Sequence, residues 1–426
     1  MAIKVGFSSV DITPPLGARR IGWLKLIIAE KILDPLTANV AVIESGDNRI
    51  ALVQLDTLSI RWTQVNDIRS RVESRYGFPG GSVMVCGTHN HAGPAISSAG
   101  VVRRDDAYIE TTVNKVVDAF GSALESVRDA EMAFGYRAEF DIAFNRRVVM
   151  RDGTVKTHGT FNDPDALYLE GPIDPEVAVI AARDAGGKLL GSIINFTCHP
   201  THMGGETVIS AGYPGALRRE MARRGCPYTI FLNGACGNVH HADPVRGGAS
   251  KTIEEMGAIL ADDAFAALGK AAFRKDLKIG SVTTTVQLPY REITEAQING
   301  TAFGAQRFVD PKLYDAMIPP TVERIRERKT QPAEVQALCM DEYALIGIPA
   351  EYFVEHGLRI KEESRPAHAL VVAHANGMVG YVPTRQAFKR GGYETTFCAS
   401  SRMAPEAGDI MADAAIGLIR NREQAT

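Results

Sequence analysis

Two short histidine-bearing stretches constrain this chain more than anything else in it, because each sits directly after an apolar run that reads as a buried strand. They are Gly87-Thr88-His89-Asn90-His91-Ala92-Gly93-Pro94 and Cys198-His199-Pro200-Thr201-His202. Val83, Met84 and Val85 lead into the first, and Leu189 to Phe196 lead into the second. Alternate side chains of a strand share a face, so an extended backbone through His89 and His91 would aim both rings the same way. Neutral imidazole is the commonest protein metal ligand and suits zinc. A lone His-x-His beside a strand is more often structural. Here, however, six of the ten histidines (His89, His91, His199, His202, His240 and His241) fall in three clusters, each just past an apolar run. The pattern predicts a metal site built from strand ends, and therefore an enzyme.

The rest of the chain supplies a frame for such a site. Strand signals at Ala38–Ile43 and Ile50–Leu55 flank a Gly-Asp-Asn turn. Helical spacing of apolar residues predicts helices over Thr63–Tyr76 and Ala107–Ser126, and from near Pro214, over Ser250–Leu268 and over Pro405–Arg420. Further strands are expected at Tyr228–Leu232, Ser281–Leu288, Tyr343–Ile348 and Ala369–Ala373, with the polar stretch from Ile293 to about Glu334 helical in part. Strand–helix alternation of this kind predicts an α/β fold, a mixed and largely parallel β-sheet covered by helices. Open sheets of that class place ligands at the carboxyl ends of their strands. Five apolar runs end in polar loops, at His89, His199, Asn233, Glu351 and, through a longer turn, Tyr381. The site is expected there. Although 426 residues is long for one core, we expect a single catalytic domain over 1–426. A subdomain boundary is expected near 273 (1–272 and 273–426), with the site drawing on both sides.

Composition narrows the partners. Charge is nearly balanced, 47 basic against 50 acidic residues, and no block of like charge steers the chain toward nucleic acid or an anionic membrane. No signal peptide is visible and no apolar stretch is long enough to span a bilayer. The six cysteines are widely spread without a Cys-x-x-Cys pair, which reads as reduced core thiols and a cytoplasmic protein. Cys198 adjoins His199 but should face the core. The expected partner is a small-molecule substrate; homo-oligomerisation is left open.

Five segments, in one order from end to end, resemble the neutral (non-lysosomal) ceramidase family of zinc-dependent amide hydrolases. They are Val10-Asp11-Ile12-Thr13-Pro14-Pro15, the Thr88-His89-Asn90-His91-Ala92-Gly93-Pro94 stretch, His199-Pro200-Thr201, Pro349-Ala350-Glu351-Tyr352-Phe353, and Tyr381-Val382-Pro383-Thr384 followed by Tyr393-Glu394. Residue by residue, the resemblance implies a Zn2+ cofactor bound by His89, His199, Glu351 and Tyr381. It implies His91 as a proton carrier beside the metal, Arg146 (in Phe144-Asn145-Arg146-Arg147) facing the reacting carbonyl, and Tyr393 donating to the oxyanion. Two imidazoles and a carboxylate are a known catalytic zinc set. Read without the resemblance, Glu351 could equally pair at a strand end, Arg146 serve as a solvated strand charge, and the two tyrosines sit as ordinary amphipathic residues.

One departure shapes the expected substrate. The family's Gly-Asp-x-Ser-Pro-Asn loop is replaced by Gly237-Asn238-Val239-His240-His241-Ala242-Asp243-Pro244, with His240 in the place of the serine that touches substrate. Asn238, His240 and His241 are therefore candidate substrate-binding residues, and His240 a second candidate for proton transfer. A second metal at His240, His241 or Asp243 is an alternative. The chain is short for a ceramidase, with no room for the family's carboxyl-terminal immunoglobulin-like domain. The expectation is a zinc-dependent amide hydrolase acting on a smaller, more polar amide than ceramide. An esterase or lactonase would use the same site, and a non-catalytic binding protein the same cleft. A (β/α)₈ amidohydrolase barrel would want the His-x-His on its first strand. No Gly-x-Ser-x-Gly elbow supports serine chemistry.

Overall fold

Strands joined by hairpins and strands joined by helices both occur, and they build two different regions of one sheet. The computed structural model describes residues 2–421 except 24, 309 and 310. Its main sheet has eight strands in the order Thr229–Asn233, Leu189–Phe196, Glu176–Arg183, Arg128–Ala138, Ile3–Asp11, Thr37–Ser45, Asn48–Leu55 and Val83–Gly87. The two outermost pairs are parallel, and each is linked by a helix: Trp62–Tyr76 on one side, Gly212–Arg223 on the other. Between them every pair is antiparallel. The α/β class is as expected, but parallel pairing is confined to the flanks. Short turns make the difference, since two residues such as Gly46-Asp47 between Ser45 and Asn48 can only return a strand antiparallel. Such a sheet is not a (β/α)₈ barrel.

A second sheet, in the order Ile279–Pro289, Thr330–Met340, Tyr343–Ile348 and His368–Ala373, stacks on the first. Its last two strands are parallel, linked by the helix Val354–Glu363. One buried cluster joins the sheets, with Ile43, Leu52 and Ile193 from the first packed with Leu338, Leu345 and Val372 from the second. Residues on both sides of 273 thus share one core. Helices cover the outer faces. Asp106–Glu125 and Trp62–Tyr76 pack on the Thr37–Ser45 side, Gly212–Arg223 and Ile253–Leu268 on the other flank, and Ala407–Arg420 on the second sheet.

Local sequence explains where these helices begin. Asp105 caps the Asp106–Glu125 helix, its carboxylate accepting from the Tyr108 N–H at 3.0 Å. Thr252 and Glu255 form a reciprocal capping box for Ile253–Leu268, an arrangement worth about 1 kcal/mol. The polar stretch after Ile293 yields two helices, Glu295–Asn299 and Pro311–Arg328, before the strand Thr330–Met340. Among the described residues no helix is long and apolar enough to cross a membrane.

The main sheet twists so far that its two edges approach at their carboxyl ends. Asn233, ending one edge strand, donates from Nδ2 to the carbonyls of Thr88 at 3.1 Å and Cys198 at 3.2 Å. That side chain joins the two histidine-bearing loops across the mouth of the sheet.

Candidate metal centre

The backbone does not run extended through the first histidine pair. His89 adopts φ +67°, and its N–H and that of Asn90 both donate to the Thr57 carbonyl, at 3.0 and 3.2 Å. The turn replaces the pleat that the sequence suggested. Convergence is achieved instead by anchoring each ring from behind. His89 Nδ1 lies 2.8 Å from the Leu58 carbonyl, His91 Nδ1 2.8 Å from the Gly22 carbonyl, and His199 Nδ1 2.6 Å from the Cys236 carbonyl. A carbonyl only accepts, so each Nδ1 carries the proton and each neutral Nε2 presents a lone pair. Those lone pairs meet. His89 Nε2 is 2.9 Å from His199 Nε2 and 3.2 Å from His91 Nε2.

Glu351 and Tyr381 enter from the second sheet's end. The strands Glu351–Tyr352 and Tyr381–Val382 pair in parallel with Glu351 directly opposite Tyr381, so the two side chains share a face. One Glu351 oxygen lies 3.4 Å from His89 Nε2 and 3.7 Å from His199 Nε2. Three lone pairs and a carboxylate crowded together repel unless a cation sits among them. The donor set fits a divalent ion: the Nε2 atoms of His89, His91 and His199 lie within 4.8 Å of one another, with Glu351 beside them. Carbonyl-anchored imidazoles are also what a metal site needs to fix ring plane and tautomer.

The electrostatics agree. Burial, then Arg146 and His89, push His199 down to about 3. Burial, His89 and His199 likewise hold His91 well below its ordinary value. Burial would raise Glu351, but His89 and His199 outweigh it and keep its carboxyl well below the usual range. Burial and then Glu351 push the Tyr381 phenol well up, so only a strong positive charge nearby would ionise it.

Arg146 is buried and fully engaged on one side. It donates from Nε to Glu394 at 2.8 Å, and from Nη2 to the Gly237 carbonyl at 2.8 Å and the Tyr381 hydroxyl at 3.2 Å. Glu394 also receives Arg147 at 2.6 Å and the Thr157 hydroxyl at 2.8 Å. Despite burial, Tyr381 and Glu394 hold the Arg146 guanidinium charged. Tyr393 packs edge-on against Tyr381 at 5.6 Å. Arg146, Tyr381 and Tyr393 therefore form one wall beside the histidines.

The replaced loop is tied to the segments around it. His240 Nδ1 accepts the Ala242 N–H at 3.0 Å, which leaves Nε2–H to donate to the Thr201 hydroxyl at 2.6 Å. His241 Nε2 is 3.0 Å from that hydroxyl, and its Nδ1 2.6 Å from Ser250 Oγ. Asn238 donates to Glu355 at 2.9 Å and accepts from the Val354 N–H at 2.9 Å. These three side chains, expected to meet substrate, spend their polar atoms mainly on Thr201, Ser250 and the helix Val354–Glu363. Cys198 is buried, its thiol 3.7 Å from the Ile142 carbonyl, as expected of a core residue.

Two contributors escaped the sequence reading. His374 lies face to face with His89 at 4.0 Å and 3°, fully buried, with Nδ1 unpartnered. It follows directly on the strand His368–Ala373, so its signal, a histidine at a strand's carboxyl end, was the one used for the others. Arg20 donates from Nη2 to the carbonyls of His91 and Met203, each at 2.8 Å. It thereby ties the two histidine loops together, and nothing in its local sequence announces that.

Comparison with known proteins follows the same pattern. The chain is 23% identical over 432 residues to a curated neutral ceramidase of Pseudomonas aeruginosa, with 84% of this chain aligned. A solved ceramidase described as complexed with C2 superposes with a TM-score of 0.77 over 100% of this chain, at 18% identity. The chain is similar to the neutral ceramidases in sequence and in fold. The crystal structure of the Pseudomonas aeruginosa neutral ceramidase matches with a TM-score of 0.76 over 99% of the chain, at 19% identity. The chain spans 63% of the length of its curated neutral ceramidase relative and about three quarters of the two ceramidase structures. No protein-family model matches it. The neutral ceramidase likeness covers residues on both sides of 273, including the His240 loop.

Proposed function

We propose that this chain is a zinc-dependent hydrolase that cleaves the amide bond of a small, relatively polar substrate. The convergence of three imidazole lone pairs, with the Glu351 carboxylate beside those of His89 and His199, carries the reading, and the similarity to ceramidases supports amide chemistry. His89, His199 and Glu351 would hold the ion, with Tyr381 as a further ligand. A zinc ion in such a site lowers the pKa of water to near 7 and polarises a carbonyl.

The chain's own groups supply the rest. Arg146, kept cationic by Glu394 and Tyr381, stands ready to stabilise negative charge developing on the carbonyl oxygen. Tyr393, whose phenol burial keeps protonated, donates a hydrogen bond to the same oxygen. His91 Nε2 faces the other imidazoles, placed to take the proton that the attacking water loses and to pass it to the leaving nitrogen. Its position equally suits a third imidazole ligand. In this reading 1–272 and 273–426 act as one catalytic unit, and widely spread cysteines without a Cys-x-x-Cys pair support a cytoplasmic site of action.

The test is turnover of matched amides and esters by zinc-replete protein, beside a His89→Ala variant. Amide cleavage lost in His89→Ala is the expected result. Cleavage of esters alone would make the chain an esterase, and amide turnover undiminished in His89→Ala would remove the metal from the mechanism.

A further inference from the structure

No motif marks His158 and no step above uses it, yet its backbone is tied to the wall that faces the metal-side histidines. Its N–H donates to the Arg146 carbonyl at 2.8 Å. The residue before it, Thr157, donates from its hydroxyl to Glu394 at 2.8 Å and accepts the Tyr393 N–H at 3.0 Å. His158 itself adopts φ +57°. That conformation costs a residue with a side chain some energy, and it persists where surrounding contacts enforce it. The three contacts fix the place from which the imidazole starts, beside Arg146, Tyr393 and Glu394.

The ring lies against the loop that departs from the ceramidase pattern. It meets the His240 ring edge-on, with centroids 4.6 Å apart at 82°, and lies 6.3 Å from the Phe308 ring. Phe308 in turn stacks on Tyr393 at 4.9 Å. On the other side, His240 sits next to His199, with the His199 N–H donating to the Val239 carbonyl at 3.2 Å. His158 therefore reaches from His240, next to a candidate metal ligand, to Phe308, next to the oxyanion wall. His240, standing where the resemblance places a substrate contact, has both nitrogens engaged. It serves as the surface on which His158 rests.

The nitrogens of His158 set it apart. Nine of the ten histidines spend at least one ring nitrogen on a hydrogen bond within the chain. Among the described residues no such bond reaches His158, and the residue is exposed. Enough protein still surrounds the ring that lost hydration, and then Arg146, push its pKa down to about 4 against the pull of Glu394. At pH 7 it is neutral, with one N–H to give and one lone pair to receive a proton donor. A carboxylate offers lone pairs alone and an ammonium N–H groups alone. A carboxamide or a hydroxyl offers both.

We propose that His158, held over His240, is a substrate-binding residue that grips a neutral hydrogen-bonding group, a carboxamide or a hydroxyl, beside the amide to be cleaved. Calling that ligand a substrate rests on the function proposed above; the contact itself does not.

The test uses full-length, zinc-replete protein and two amides of the same shape. N-acetylglycinamide carries a carboxamide where N-isobutylacetamide carries an isopropyl group. Diethyl pyrocarbonate acylates neutral imidazole, and peptide mass spectrometry reads the rate at each histidine. His158 should be the fastest labelled, slowed by N-acetylglycinamide and not by N-isobutylacetamide. In His158→Phe, which keeps a flat ring and removes both nitrogens, affinity for N-acetylglycinamide should fall at least about tenfold by saturation-transfer NMR. Slow labelling of His158, no slowing by N-acetylglycinamide, equal slowing by both amides, or undiminished affinity in a folded His158→Phe would each overturn the proposal. The labelling needs no variant. The same spectra show whether the probe is cleaved, so absent hydrolysis would count against the proposed function and leave the His158 contact standing.

Discussion

Glu394 shows how much of this site depends on a residue that touches neither histidine. Its carboxylate is fully buried and receives Arg146, Arg147 and Thr157. Burial would raise its pKa, but Arg147 and Arg146 outweigh that and hold it at about 2. Glu394→Gln leaves two buried guanidinium groups without their anion. Breaking a buried pair in this way costs roughly 3–5 kcal/mol, and chemical denaturation should show a loss of that order together with lost turnover. An unchanged denaturation curve would mean the arginines find other partners. At this scale the sequence was informative where a residue type has one dominant use. His89, His199, Glu351 and Tyr381 stood out in their motifs, and the structure brings His89, His199 and Glu351 within 4 Å of one another. His240, His241 and Asn238 also stood out, yet their polar atoms are spent on Thr201, Ser250 and Glu355. Spacing along a chain does not say which residues elsewhere will engage a side chain's polar atoms.

Elements place the candidate ligands through close backbone approaches that favour glycine. Gly22 has φ +115°, and a Cβ there would sit 3.0 Å from the His91 ring, whose Nδ1 its carbonyl holds. Gly22→Ala should therefore turn His91 while leaving His89 and His199 in place. We expect a fall of about tenfold or more in activity, the range typical of disturbed outer-shell partners, with overall stability reduced by no more than about 1–2 kcal/mol. Steady-state kinetics beside a thermal melt checks it, and full activity would show that His91's orientation is not used. Gly237 is tighter, since its Cβ would lie 2.7 Å from the Glu351 carbonyl. The elements themselves were legible where periodicity is strong: Asp106–Glu125, Ile253–Leu268 and Ala407–Arg420 lie within a few residues of expectation. The strands Arg128–Ala138 and Glu176–Arg183 were not read. The first carries exposed polar residues at both ends, and the second is apolar nearly throughout, so neither shows clean alternation. Those two strands supply part of the antiparallel centre, which is why the sheet looked more parallel from sequence than it is.

The whole molecule keeps several imidazoles neutral in its interior, and that sets how stability depends on pH. His241 is 8% exposed, and burial, followed by His202, pushes it down to about 2. An unfolded histidine takes up its proton near 6.5. Above that pH neither state is protonated and stability is at its full value. As pH falls from about 6.5 toward 2 the unfolded chain alone binds the proton, so stability declines over that window. Metal-free protein should melt at progressively lower temperature from pH 7 to pH 4, and His241→Gln should flatten part of the slope; an unchanged slope would place the sensitive groups elsewhere. The overall architecture was legible only as a class. That one sheet curls until Asn233 reaches Thr88 depends on twist summed over eight strands, which no local pattern encodes.

Most of the chemistry proposed here requires that His89, His199 and Glu351, with His91 and Tyr381 beside them, surround one divalent cation. Plasma-emission analysis of full-length protein purified without chelator, together with a folded His199→Ala variant, measures this directly. Close to one zinc per chain is expected in the parent protein and almost none in His199→Ala. A parent protein that neither carries zinc nor takes it up, or a variant that retains it in full, would rule out a zinc site at these residues.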